Sequence, residues 1–348
     1  MAQTIRFAGQ VDETWLARLT EDIIDPDLPI IDPHHHLWVL EGNTYLLPEL
    51  LADIGSGHNI RATVFEECHA MYRADGPEEE RSLGETEFVT GIAAMGASAT
   101  FGAARVCARM VGRVDLTLGA RVKPLLERHV AASGGRFAAI RLSTAWDASD
   151  RIHKVVPTPG MLLDPIFRAG YAALGQLGLA FDAWVYHPQL AEVGDLAAAF
   201  PGTTIVLNHV GSPILGGPYG ADRQGVFADW KSGMTALARH PNVTVKLGAL
   251  PIRLRGAGAA TSDLPPGSEE VARAWRPWID TTIALFGADR CMFESNFPVQ
   301  KRWCSYAVVW NAFKRLAAGA SADETANLFA GTAARVYGVP WAGDQGRG

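Results

Sequence analysis

The 348-residue sequence predicts a single α/β domain folded as a (β/α)8 TIM barrel. Three observations predict it. Short β-rich runs alternate with longer Ala- and Leu-rich amphipathic segments, the pattern of parallel strands joined by crossover helices. Polar residues recur at the C-terminal ends of several of those runs, where a barrel keeps its active site. Nearly half the residues are hydrophobic and a fifth are charged, which suits one large buried core and argues against global disorder.

Eight runs read as strands: residues 30–36, 62–67, 88–93, 137–142, 179–187, 204–209, 243–247 and 290–296. The third is diluted by Ala and Gly, which have low β-propensity. Between them, residues 119–132, 190–200, 229–239 and 269–286 carry helical patterns. A last helix starts at Ser321, whose spacing to Glu324 is that of a capping box, and its apolar pattern runs to Tyr337. Nothing in that stretch reads as catalytic. Long Gly- and Pro-rich loops, residues 212–220 and 256–267, follow strands 6 and 7 on the expected catalytic face. Residues 1–29 form an N-terminal extension and residues 30–340 the barrel domain, with no linker and no internal repeat.

A net charge of -6 excludes the clustered basic surface that nucleic-acid binding needs. Cys68, Cys107, Cys291 and Cys304 form no Cys-x-x-Cys pair and read as reduced thiols of a cytoplasmic protein. The acidic first thirty residues do not resemble a signal peptide, and no run of about eighteen apolar residues suggests a membrane span. The expected partner is a small-molecule substrate, with homo-oligomerisation open.

The chemistry gathers at the segment from Asp32 to His36. On a strand, His34 and His36 point to one side and His35 to the other. Two converging imidazoles can ligate a divalent metal or polarise a substrate without one. His187, His209 and Asn296 close three further strands. At the second strand end, a buried carboxylate at Glu66 or Glu67 would require a metal or cationic partner. Only one of the two is expected to face inward, and Glu67 is the preferred one. Glu294 shares a face with Asn296, one layer below it, and reads equally as a site residue or as half of a structural salt bridge.

These residues resemble the amidohydrolase superfamily, of the amidohydrolase-2 type. The resemblance rests on Asp32-Pro33-His34-His35-His36-Leu37-Trp38, His187, His209 and Phe293-Glu294-Ser295-Asn296-Phe297-Pro298. It extends from about residue 30 to 337 and points to the branch of sugar, pyrone and muconolactone lactonases, with aromatic-acid decarboxylases more distant. The resemblance implies a divalent metal, zinc first, held by His34, His36 and His187, with His209 among the catalytic residues. It also implies an aspartate at the end of strand 8, where this chain has Asn296. An amide cannot act as a base. Three explanations stand open: Glu294 or Glu67 takes the base role, His209 or His187 takes it, or hydrolytic activity is altered or lost.

The expected reaction is hydrolysis of a lactone in a small carboxylated or polyhydroxylated substrate. His209, Glu67, Glu294 and Asn296 are the catalytic candidates. Arg141 is expected to grip a substrate carboxylate or carbonyl. Trp38, Tyr72 and Trp146, with Tyr45 and Tyr219, would wall the pocket, and Arg73, Lys154, Arg253, Lys301 and Arg302 could attract an anion. The alternatives are a metal-dependent decarboxylase of an aromatic acid on the same barrel, and a catalytically silent ligand-binding member.

Overall fold

A computed structural model describes residues 11–98, 100–252 and 263–340. Eight strands form one sheet in sequence order: β1 (Pro29–His35), β2 (Asn59–Glu66), β3 (Arg105–Gly112), β4 (Phe137–Arg141), β5 (Ala180–Ala183), β6 (Ile205–Leu207), β7 (Val243–Leu247) and β8 (Cys291–Phe293). Every adjacent pair is parallel. With helices covering the outside, this is the expected (β/α)8 barrel.

The seam between β1 and β8 closes differently. Just beyond β8, Asn296 N donates to His34 O at 2.9 Å and His36 N to Phe297 O at 2.7 Å. Beneath them, the Asp32 carboxylate accepts from Ser295 N at 3.1 Å, Ser295 Oγ at 2.6 Å and Tyr306 OH at 2.9 Å. Burial outweighs these hydrogen bonds and pushes Asp32 up to about 6. The first residue of the histidine motif is therefore a clip between strands.

One expected strand is overturned. Residues 88–93 lie inside the helix Leu83–Ala97, and the third strand is Arg105–Gly112. Val89 and Ala93 are buried on one stripe at helical spacing. The true strand was disguised by Arg105 and Arg109, whose charges break an otherwise apolar run. Other differences lie at boundaries. The helix expected from residue 119 begins at Lys123, because Gly119 sits at φ 61 and interrupts the turn before it. The Ser321–Glu324 capping box forms, but the last helix is split into Ala322–Ala326, a π-helical turn Asn327–Gly331 and Thr332–Tyr337.

The barrel interior is layered. At the N-terminal end Ile31, Val64, Val111, Ala139, Val206 and Met292 pack with Ala330, Ala333 and Tyr337, so the final helix plugs the barrel floor. Small side chains at Ala62, Ala139 and Ala180 leave room for the Tyr337 ring. Its hydroxyl reaches both carboxylate oxygens of Asp182, at 3.0 and 2.8 Å. The stretch that read as merely structural thus supports the polar layer from beneath. Outside the barrel, Trp230, Trp275 and Trp310 are fully buried between helices and sheet, each contributing roughly 1.5–3 kcal/mol or more by burial. Among the described residues, no helix is long and apolar enough to cross a membrane.

The N-terminal extension is described from residue 11. Glu13 pairs with Lys301 at 2.8 Å, and the Lys314 ammonium donates to the carbonyls of Ile24 and Asp25, each at 2.7 Å. Within the loop expected over residues 256–267, residues up to 262 lie outside the described residues, as does Arg253.

Candidate active site

His34 on β1 and His36 just past its end come together, their ring centroids 5.0 Å apart. His35 points away and meets Thr63 Oγ1 through Nε2 at 2.8 Å. Burial lowers His35 to about 4 and, helped by Arg141, His36 to about 3. His34 is lowered well below its ordinary value by burial and then by Lys246, His209, His36 and Arg141. All three imidazoles are therefore neutral at physiological pH.

His34 is the hub. Its Nδ1 lies 2.8 Å from Glu294 Oε2 and 3.3 Å from Lys246 Nζ, while its Nε2 lies 3.4 Å from Arg141 Nη1. A neutral imidazole has one lone pair for these two cationic donors. Despite its closeness to Nδ1, Glu294 Oε2 makes no hydrogen bond. The other oxygen, Oε1, accepts from His209 Nδ1 at 2.7 Å and His209 N at 3.1 Å.

β6 ends at Leu207, and the next residues coil through left-handed backbone: His209 at φ 55, Val210 at φ 54 and Ser212 at φ 43. Asn296, just past β8, has φ 53. Such conformations cost a non-glycine residue about 1–3 kcal/mol. The fold spends that energy at two strand ends, where it turns the His209 ring onto Glu294 and the Asn296 amide onto His36.

The pairing of His36 with Asn296 is decided by the far side of the ring. His36 Nδ1 faces Glu66 O at 2.9 Å, a pure acceptor, so Nδ1 carries the proton and Nε2 the lone pair. Asn296 Oδ1 stands 3.3 Å from Nε2, which sets two acceptors face to face; a half-turn of the amide puts its NH2 group on the lone pair and leaves its carbonyl oxygen facing elsewhere, and we assign it so.

Below this layer lies a buried charge network. Lys246 Nζ contacts Asp182 Oδ2 at 2.7 Å and Glu66 Oε2 at 2.8 Å. Arg141 Nε contacts Glu67 Oε1 at 2.8 Å and Glu66 Oε1 at 3.3 Å, and its Nη2 donates to Glu67 O. Burial, then Asp182, raises Glu66 despite Lys246 and Arg141. Burial also opposes ionisation of Glu67, but Arg141, His69 and Arg113 outweigh it and hold that carboxyl low. Four buried carboxylates, Glu66, Glu67, Asp182 and Glu294, thus surround two buried cations, Lys246 and Arg141.

The residues expected from sequence are distributed unevenly. His34, His209 and Glu294 come together and offer ligand atoms within 4.8 Å of one another. His36 adjoins them, with its lone pair turned to Asn296. His187 does not join the group: its Nδ1 accepts from Ile214 N at 3.2 Å, which leaves the ring proton on Nε2 and makes it a donor. The expectation that one of Glu66 and Glu67 faces inward is corrected. Both are buried, because β2 stops at Glu66 and strand alternation no longer dictates where Glu67 points. Arg141, expected to grip a substrate, is engaged by Glu67 and Glu66. Trp38 stacks on His36 with centroids 5.7 Å apart, Tyr72 packs on His69, and Trp146 lies under Lys154 Nζ at 5.8 Å.

Sequence reasoning missed Lys246, Asp182, Tyr337 and Trp184, the last 6.4 Å from the His209 ring and beneath Arg141. A signal existed for Lys246 and Asp182. A lone charge inside an apolar strand must find a buried partner, and their signs are opposite.

A divalent cation fits the His34, His209 and Glu294 group on three grounds. The donors are two imidazoles and a carboxylate, as zinc and related metals take. The His34 Nδ1 and Glu294 Oε2 atoms stand close with no hydrogen bond between them. The surrounding layer carries more carboxylates than cations.

A family model described as "Amidohydrolase" matches residues 31–339. The chain is 31% identical over 335 residues to the uncharacterized protein y4mH of Sinorhizobium fredii, spanning 90% of this chain and 99% of that protein. It is 28% identical over 320 residues to an L-fucono-1,5-lactonase of Burkholderia multivorans, spanning 89% of this chain and 96% of that one. Its fold is similar to that of an amidohydrolase from Burkholderia multivorans crystallised with bound zinc, with TM-score 0.67, 26% identity and coverage of 90% of this chain and all of that one.

Proposed function

The chain belongs to the amidohydrolase family, and from that premise we propose that it opens the lactone ring of a neutral, polyhydroxylated substrate by attack of water. The observation that carries this reading is Glu294, a buried carboxylate with one oxygen held by His209 and the other free of hydrogen bonds beside His34. The similarity to an L-fucono-1,5-lactonase supports the substrate type.

His34, His209 and Glu294 would hold a divalent metal, which we take to be zinc. When bound, the metal polarises the lactone carbonyl and acidifies the attacking water. Besides holding the metal, the Glu294 carboxylate would take the proton that Asn296 cannot, because an amide has no basic lone pair at this pH. Asn296 instead orients: its NH2 holds His36, and its carbonyl oxygen is free to accept from the water. His187, with its proton fixed on Nε2 by Ile214, is a neutral donor suited to the developing oxyanion. Trp38 and Trp184 shield the imidazoles from bulk water.

The preference for a neutral substrate rests on cations already spent. Arg141 is bound by Glu67 and Glu66. Of the loop cations expected to attract an anion, Arg73 pairs with Glu87, Lys154 with Asp150, and Lys301 with Glu13 and Asp53. At Arg73, Lys154 or Lys301 a substrate carboxylate would have to displace an existing pair.

The test is turnover by purified protein on three panels: neutral sugar lactones, carboxylated lactones and hydroxybenzoates. Opening of neutral lactones that Glu294→Gln abolishes is the expected result. Release of carbon dioxide from hydroxybenzoates without lactone opening would replace this reading with the decarboxylase alternative. No turnover on any panel would leave a ligand-binding protein.

A further inference from the structure

We propose that Lys246 is a tethered cation that stands in for part of the charge of the metal, holding the site together when no metal is bound and weakening metal binding when one is. The inference rests on the reading of His34, His209 and Glu294 as a metal site.

Lys246 projects from β7 into the barrel and is fully buried. Its ammonium touches three groups: Asp182 Oδ2 at 2.7 Å, Glu66 Oε2 at 2.8 Å and His34 Nδ1 at 3.3 Å. The third contact matters most. His34 Nδ1 is the atom 2.8 Å from the unbonded Glu294 Oε2, so the ammonium already solvates the imidazole from the side a metal would use. A dication held by His34, His209 and Glu294 would then share a buried interior with a fixed positive charge, where repulsion is poorly screened.

The ammonium is also held from below. Tyr337 holds Asp182 from below through both carboxylate oxygens, and the Lys246 ammonium lies 5.2 Å from the Tyr337 ring centroid. The ammonium is therefore fixed in position by the barrel floor. Removing it would leave Glu66, Asp182 and Glu294 sharing one interior with Arg141 as the remaining cation, an arrangement that is costly unless another cation enters. A residue with a purely structural role would lose stability when replaced, and zinc would not restore it.

The experiment compares wild type, Lys246→Met and the charge-matched double variant Lys246→Met with Asp182→Asn. Zinc affinity is measured by competition with a chromophoric chelator, and Tm is measured in chelator and in excess zinc. We expect both variants to bind zinc at least tenfold more tightly than wild type. Lys246→Met should also have a lower Tm in chelator and a larger zinc-induced rise. Should Lys246→Met not fold, the double variant carries the test, because it removes the ammonium without adding net buried charge. If zinc binds wild type but binds the folded variants no more tightly, the tethered-cation inference is overturned. If zinc binds none of the three, the metal-site reading itself has failed.

Discussion

His209 donates from Nδ1 to Oε1 of Glu294 across 2.7 Å and adds its backbone N–H at 3.1 Å, so a residue at the end of β6 fixes the orientation of a carboxylate just beyond β8. The second oxygen of that carboxylate is left for chemistry. Glu294→Gln keeps the size and the acceptor for His209 but removes the basic oxygen. Its kcat should fall by about 10²–10⁴-fold, the usual contribution of a general base, with an unchanged circular dichroism spectrum. Retention of kcat within threefold would remove Glu294 from the proton-acceptor role.

Asn296→Asp changes what faces His36. The His36 lone pair on Nε2, satisfied by an amide NH2, would face a carboxylate oxygen instead. The two repel unless His36 gains a proton, against the burial and the Arg141 charge that hold it at about 3, or unless a metal binds both. Zinc retention through dialysis, read by elemental analysis, should therefore rise about tenfold or more. Retention equal to wild type would show that Asn296 does not face the His36 lone pair.

Glu67→Gln should alter specificity rather than the chemical step. It loosens the carboxylate hold on the Arg141 guanidinium, which becomes available to a substrate carboxylate. The ratio of kcat/KM for carboxylated over neutral lactones should increase by about tenfold. An unchanged ratio would mean that Arg141 stays out of reach of the substrate.

Acid should destabilise the protein through buried histidines far from the site. His129 is fully buried between Thr86 Oγ1 at 2.8 Å and Ser82 Oγ at 3.3 Å. Burial, with Arg128 and Arg73 nearby, lowers it from 6.5 to about 4. Below pH 6.5 the unfolded chain takes up a proton that the folded protein refuses. The stability is present above pH 6.5 and is lost as pH falls towards 4, by roughly 3 kcal/mol for this residue. In His129→Gln, denaturant unfolding should show a pH dependence between 4 and 6.5 shallower by about that amount. Parallel curves for variant and wild type would refute the assignment.

The barrel was legible from its punctuation, and the failures have physical causes. β7 coincides with the expected residues 243–247, where apolar Val243, Val245 and Leu247 alternate with Thr244 and Lys246. β3 was missed because Arg105 and Arg109 mask it while an Ala-rich helix beside it carries as much apolar character. His34, His209 and Glu294 were each singled out, since strand ends and strand alternation are local properties. Which lone pair of which histidine is free was not legible. That depends on Glu66 O for His36 and Ile214 N for His187, contacts between residues 30 and 27 positions apart in the chain. Lys246 and Asp182 each signal a need for a buried partner, but that they partner each other across β5 and β7 is read only once the barrel is closed.

The clip that Asp32 makes to Ser295 and Tyr306 has a mechanical consequence. β1 and β8, with the residues just past their ends, carry His34, His36, Glu294 and Asn296 and are joined by a few hydrogen bonds instead of a full ladder. An opening at this seam would separate His34 and His36 from Glu294 and Asn296. Asp32 thus ties the two halves of the candidate site together through a side chain that never needs to touch the substrate.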